Sequence, residues 1–173
     1  MANQASGVAA GLVTMLRKHG MKIATVESCT GGLLSKMITD VPGASEVFDV
    51  GITTYSNEMK TRLVGVSEDI LSQYGAVSWQ TAQAMATGIR ELSGADFGIS
   101  TTGIAGPGGG TEEKPVGLVY IGIAAPDKTA VIKWIAPGET PTREYVRQNA
   151  AENALAMVAS YLMLVDDGTI RKE

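Results

Sequence analysis

The stretch that decides the fold is Lys22-Ile23-Ala24-Thr25-Val26-Glu27-Ser28-Cys29-Thr30-Gly31-Gly32. Lys22 to Val26 is a short apolar run with β-branched residues, which predicts a strand. After the two glycines, Leu33, Leu34, Met37 and Ile38 recur at helical spacing, up to a turn at Asp40-Val41-Pro42-Gly43. Upstream, Val8, Leu12, Met15 and Leu16 keep the helical period, and Gly20 sits where a helix-ending glycine belongs. Downstream, Val47 to Thr54 predicts a second strand. Ser56 or Asn57 then caps a helix through Leu63, Ser67 caps another with Glu68 and Asp69 in its first turn, and Ser78 opens a longer one to about Leu92.

Phe97 to Thr101 reads as the next strand. Val116 to Ala124 and Ala130 to Ala136, with Pro126-Asp127-Lys128 between them, predict an antiparallel hairpin. A last helix is expected to begin near Pro141, a good first-turn residue, and to run to about Leu164, with a frayed tail over 166–173. Helices alternate with strands early and a hairpin comes late. The pattern predicts one domain over 1–173: a three-layer α/β/α architecture around a mixed, mostly parallel sheet.

The chain has 173 residues, with 14 Lys plus Arg against 18 Asp plus Glu, a formal charge of −4. That balance speaks against a nucleic-acid partner, which calls for a basic face. Hydrophobic residues make up 45% and charged ones 18%, so a core can form without disulfides or metals. One cysteine, Cys29, leaves no disulfide framework and no multi-Cys zinc site, and with a single histidine, His19, no metal or cofactor is expected. No run of 18 apolar residues exists and the N-terminus lacks the pattern of a signal peptide, so no membrane association and a cytoplasmic location are expected. The apolar helices 78–92 and 141–164 point to a homo-oligomer.

Four groups of residues carry possible chemistry. Ser28, Cys29, Thr30, Gly31 and Gly32 lie between a strand and a helix, where backbone N–H groups at the helix start can bind a phosphate or an oxyanion. The plainer reading is a helix cap of Ser28 or Thr30 with a small buried Cys29. Tyr55 and Lys60 follow the second strand; if the two strands are parallel neighbours, Tyr55 emerges on the same edge as Ser28. A desolvated lysine has a lowered pKa and can serve a serine nucleophile as base, although a solvated lysine and a half-buried tyrosine are the ordinary outcome. The run Thr102-Gly103 through Gly106 to Gly110, with Lys114 beyond it, offers amides and a cation to an anion, or is simply a mobile loop. Arg143 and Arg147, one helical turn apart, can clamp a phosphate or pair with nearby glutamates. His19, at a helix end, reads as an exposed histidine favoured by the dipole.

Read in order, Val26-Glu27-Ser28-Cys29-Thr30-Gly31-Gly32, Thr54-Tyr55-Ser56-Asn57-Glu58, Gly75-Ala76-Val77-Ser78, Thr102-Gly103-Ile104-Ala105-Gly106-Pro107 and Glu113-Lys114-Pro115-Val116-Gly117 resemble the motifs of the CinA C-terminal domain family over about residues 5–165. The resemblance implies a nicotinamide-nucleotide amidase, which hydrolyses the carboxamide of nicotinamide mononucleotide to nicotinate mononucleotide and ammonia in pyridine-nucleotide salvage. It implies a stand-alone form, without the molybdopterin-binding-like domain that precedes this one in larger relatives. It also implies a catalytic set of Ser28, Tyr55 and Lys60, with Ser28 as nucleophile, Lys60 as base and the Tyr55 hydroxyl as relay or positioning group. Thr30, Gly31, Gly32, Thr102, Gly103, Gly106, Lys114, Arg143 and Arg147 are the matching substrate-binding candidates. Val26 and Thr102 stand where the family usually has alanine and serine. Cys29 remains the rival nucleophile on the bare sequence. A silent nucleotide-binding module, or an amidase for another carboxamide, are the competing functions.

Overall fold

A computed structural model describes residues 7–170. The elements are α1 (Gly7–His19), β1 (Ile23–Glu27), α2 (Leu33–Thr39), β2 (Phe48–Thr53), α3 (Asn57–Val64), α4 (Glu68–Tyr74), α5 (Trp79–Ser93), β3 (Phe97–Gly103), β4 (Leu118–Ala124), β5 (Thr129–Ile135) and α6 (Arg143–Asp166). The strands form one sheet in the order β2-β1-β3-β4-β5. β1 runs parallel to both β2 and β3, while β3-β4 and β4-β5 are antiparallel. The expected three-layer α/β/α fold with a mixed sheet is the fold observed.

Strand periodicity sorts the core into two layers. Ile23 in β1, Phe97 and Ile99 in β3, and Val119, Ile121 and Ile123 in β4 face the layer made by α1, α2 and α6. Ala24 and Val26 face the opposite layer with Val64, Met85 and Ile89 from α3 and α5. On that side α5 lies close to the sheet because the strands offer almost no side chain beneath it. A Cβ on Gly98 would stand 2.1 Å from the Ala86 carbonyl oxygen, and one on Gly122 would stand 2.6 Å from that of Ala82. Ser100, between them, donates its hydroxyl to the Ala82 carbonyl at 2.6 Å. α3 nestles on α5 in the same manner, since a Cβ on Gly88 would meet the Val64 carbonyl at 1.9 Å.

The serine caps act as the sequence suggests. Ser56, Ser67 and Ser78 each accept the amide three residues on, from Met59, Ile70 and Thr81, and each such cap contributes about 1 kcal/mol. Between the two cap candidates of α3, the structure selects Ser56. The last helix begins near Pro141 as expected, at Arg143, with Thr142 as its cap accepting from the Tyr145 amide. β4 starts at Leu118, two residues late, since the Gly117 amide turns back to the Ile104 carbonyl. Of the tail expected to fray, 171–173 lie outside the described residues. Up to Ile170 the chain is hydrogen-bonded onto the end of α6, and Asp166 meets Lys18 and His19. His19 is therefore packed against a carboxylate with its side chain only 6% exposed, at the end of β1 opposite Ser28, and is no part of any triad. Among the described residues no helix is long and apolar enough to cross a membrane.

Candidate active site

β1 sends its chain to α2 on one layer, toward β2; β3 sends its chain the other way, into the hairpin. The crevice between the carboxyl ends of β1 and β3 is therefore a topological switch point, where open α/β sheets bind ligands. Ser28 stands there, its amide donating to the Thr101 carbonyl of β3 at 2.9 Å. A cleft of about 280 Å³ opens over it, lined among others by Ser28, Tyr55, Lys60, Val77, Gly106 and Arg143. A larger hollow of about 410 Å³ on the outer side of α3 and α5 has one ionisable group, Glu91, and one hydroxyl, Thr87, with no lysine or histidine in its lining to serve as base.

Lys60 is the unusual residue. It occupies the first turn of α3, is fully buried, and points its ammonium at Ser28 Oγ, 3.2 Å away. The same nitrogen donates to the Thr54 carbonyl at 2.8 Å and to that of Tyr55 at 3.4 Å. Burial pushes the Lys60 pKa below its ordinary 10.5, against a weaker upward pull from Cys29. In the neutral form, two N–H bonds satisfy the two carbonyls and the lone pair is left facing the serine hydroxyl. The pair has the geometry of a nucleophile and its base.

Cys29, the rival, is buried in the α1/α2/α6 core, and desolvation pushes its thiol up to about 12. A thiol that high is a poor nucleophile near neutral pH. The serine, and not the cysteine, receives the lysine.

The Tyr55 hydroxyl is hydrogen-bonded to neither Ser28 nor Lys60. Tyr55 is 64% exposed on the rim, and its hydroxyl accepts from Arg143 Nη2 at 3.1 Å; only its backbone carbonyl touches Lys60. Arg143 also donates Nη1 to the Gly106 carbonyl at 2.9 Å, bridging two sides of the mouth. Thr102 and Gly103 line the floor, with the Thr102 hydroxyl donating to the Ala76 carbonyl at 2.7 Å. These residues come together as the sequence suggests.

Five candidates do not line the cleft. Arg147 donates Nε and Nη2 to the Thr30 carbonyl, at 2.9 and 2.6 Å, clamping the Ser28 turn from behind. Thr30 is fully buried, its hydroxyl used on Glu27 and Thr101. Gly31 and Gly32, at φ +63° and +96°, shape the turn, and the Gly31 amide is spent on the Ser28 carbonyl. Lys114 donates to the Tyr74 carbonyl at 2.9 Å, outside the cleft.

Sequence reasoning passed over Glu27. It is fully buried and takes the amides of Gly32, Leu34 and Ser35 that a helix start would otherwise offer to an anion. A carboxylate immediately before a Ser-x-Thr-Gly-Gly helix start was the available signal. It corrects the expectation that the beginning of α2 serves an oxyanion.

The fold and the site define a three-layer α/β domain with a buried serine–lysine pair at its strand-end cleft. The CinA C-terminal domain model matches residues 5–162, and the chain belongs to that family. It is 52% identical to a CinA-like protein of Desulfovibrio desulfuricans over 157 residues, 91% of this chain and 37% of that relative. With a CinA-like protein of Kosmotoga olearia the identity is 51%, over 88% of this chain and 36% of the relative. The chain thus spans little over a third of the length of these relatives. Among solved structures, the competence/damage inducible protein CihA of Agrobacterium tumefaciens superposes with a TM-score of 0.85 at 38% identity, covering 88% of this chain and 92% of that one. A competence or damage-inducible protein of Enterobacter asburiae gives 0.86 at 32%, covering 92% and 99%.

Proposed function

We propose that the protein is a serine amidohydrolase that converts nicotinamide mononucleotide to nicotinate mononucleotide and ammonia. The observation that carries this reading is the buried Lys60 ammonium 3.2 Å from Ser28 Oγ, with no histidine near. In the first half-reaction Ser28 Oγ attacks the carboxamide carbon and its proton passes to Lys60 Nζ. The resulting tetrahedral intermediate collapses, the C–N bond breaks, and Lys60 returns the proton to the departing ammonia. Water then attacks the acyl-serine, again through Lys60, releasing the carboxylate and the free hydroxyl.

The amides of Gly31, Gly32, Leu33, Leu34 and Ser35 are engaged, and the Ile104 amide donates to the Leu118 carbonyl. The oxyanion therefore falls to Cys29 at the turn, or to Ala105 and Gly106 across the cleft, all three of which line it; one such donor is worth roughly 3–4 kcal/mol. In this reading the 5′-phosphate is taken by Arg143 and the amides of Gly108 and Gly109, which line the cleft, with the Tyr55 ring beside them. The reading places the protein in the cytoplasm, in pyridine-nucleotide salvage. It is also a homo-oligomer in this reading, with exposed Trp79 and Leu92 on α5 and Met163 and Leu164 on α6 as contact residues.

The test is ammonia release from nicotinamide mononucleotide by the purified, metal-stripped protein beside Ser28→Ala. Release that the substitution abolishes supports both substrate and nucleophile. A folded wild type that binds the nucleotide and releases nothing overturns the enzymatic reading.

A further inference from the structure

The Glu27 carboxylate touches neither the cleft nor Lys60, yet it accepts five hydrogen bonds. Oε2 accepts from the Thr30 hydroxyl at 2.7 Å, the Gly32 amide at 2.9 Å and the Leu34 amide at 3.0 Å. Oε1 accepts from the Ser35 amide at 2.8 Å and the Ser35 hydroxyl at 2.7 Å. Because the Thr30 hydrogen is used on Glu27, Thr101 must be the donor in the 2.7 Å contact between the two threonine hydroxyls. Likewise Thr25 donates to Ser35. Every hydroxyl in this buried chain has one orientation, and Glu27 sets it.

The turn that carries Ser28 is thereby held from three directions. Glu27 ties it to α2, Thr101 ties it to β3 through the Thr30 hydroxyl and the Ser28 amide, and Arg147 ties it to α6 through the Thr30 carbonyl. We propose that Glu27 is a positioning residue that holds Ser28 Oγ within proton-transfer reach of Lys60 by locking the 28–32 turn, without itself touching substrate. The proposal rests on Ser28 being the nucleophile. It adds that the nucleophile's reactivity is set by the hydrogen-bonded network on the far side of the turn. A low-dielectric, fully satisfied network of this kind fixes one arrangement, and a displacement of about 1 Å at a reacting atom costs up to about 100-fold in rate.

The experiment measures the rate at which a fluorophosphonate labels Ser28, which needs no amide substrate, in wild type, Glu27→Gln and Thr30→Val. Glutamine puts an NH2 where two or three donors converge, and valine removes the hydroxyl link at nearly constant shape. Labelling is expected to fall about 10- to 100-fold in Glu27→Gln and to a lesser extent in Thr30→Val, with the nucleotide dissociation constant within about twofold of wild type. Val13→Ala, in the α1 core far from the turn, serves as a control for stability; it lowers Tm and leaves labelling unchanged. If Glu27→Gln does not fold, Thr30→Val alone decides. Equal labelling rates in wild type and variants overturn the proposal, as does labelling that tracks Tm across the series including Val13→Ala. A wild type whose Ser28 is never labelled overturns it too. Labelling with the expected pattern but without ammonia release from nicotinamide mononucleotide leaves the proposal standing and refutes the substrate assignment.

Discussion

The two walls of the cleft are built on opposite principles. The wall that carries Ser28 is backed by a dense network over 27–35: Glu27 takes the amides of Gly32, Leu34 and Ser35, the Thr30 hydroxyl is tied to Glu27 and Thr101, and Arg147 takes the Thr30 carbonyl. The wall at 103–110 is held by backbone contacts between Ile104 and residues 117–118, by Arg143 reaching over to the Gly106 carbonyl, and by close packing of Gly103 and Gly110 on Leu118 and Val116; its tip at Gly108 is open, with no non-neighbouring atom within 4 Å of where a Cβ would stand. The difference separates two tasks. A nucleophile needs its position fixed before substrate arrives, while a wall that receives ligands of extended shape can adjust on binding.

Removing the chemistry from the rigid wall has the largest effect: Ser28→Ala is expected to lower ammonia release about 10³-fold or more, with the nucleotide affinity kept, as calorimetry can check. Lys60 gives the same order of loss as Lys60→Arg, which stays protonated, and it also controls the pH profile. The folded amine loses its proton at lower pH than the usual 10.5 because it is buried, and its neutral form is the base. Hence kcat/KM should rise with pH along a limb centred below 10.5, and an activity limb at or above that value would sink the role of Lys60.

On the adaptable wall, Arg143→Gln is expected to raise KM roughly 10- to 100-fold with a smaller change in kcat, since a charged hydrogen bond to phosphate is worth about 1.5–3 kcal/mol. A change in kcat alone would mean that Arg143 belongs to the nucleophile's wall. The smallest effects set the two walls against each other by the same substitution. Gly31→Ala places a Cβ at φ +63° and 2.9 Å from Arg147 Nη2, so it should cost about 1–2 kcal/mol, read as a Tm lower by several degrees. Gly108→Ala meets open space and should shift stability by less than about 0.5 kcal/mol.

Much of this was legible along the chain. The β-branched runs, the serine caps and the switch from strand to helical period at Gly31-Gly32 are local signals, and they gave the layers and brought Ser28 and Lys60 to one strand edge. What escaped depends on partners distant in sequence. Whether Arg143 or Arg147 faces the cleft is decided by which carbonyl each one finds, that of Gly106 or that of Thr30, 117 residues away from Arg147. The same holds for Lys114, drawn to Tyr74 instead of an anion, and for the Tyr55 hydroxyl, drawn to Arg143. Glu27 was hidden for another reason: a glutamate in a strand normally signals solvent, and its burial follows only from the donors that α2 supplies.

The close seating of α5 bears on all of this as a stack of tolerances does in a machined assembly. Ser28 is referenced to the sheet directly. Lys60 is tied to the end of β2 at the Thr54 carbonyl, and its helix is referenced to the sheet through two joints: the Gly98-Ser100-Gly122 seat under α5, and the Gly88 seat under α3. The 3.2 Å gap between the two side chains is the closing dimension of that stack. Each joint admits no shim, because even one methyl group at Gly88 or Gly98 would meet backbone near 2 Å. A fit so tight leaves α3 nowhere else to settle, so the register between base and nucleophile is machined into the packing of the far layer.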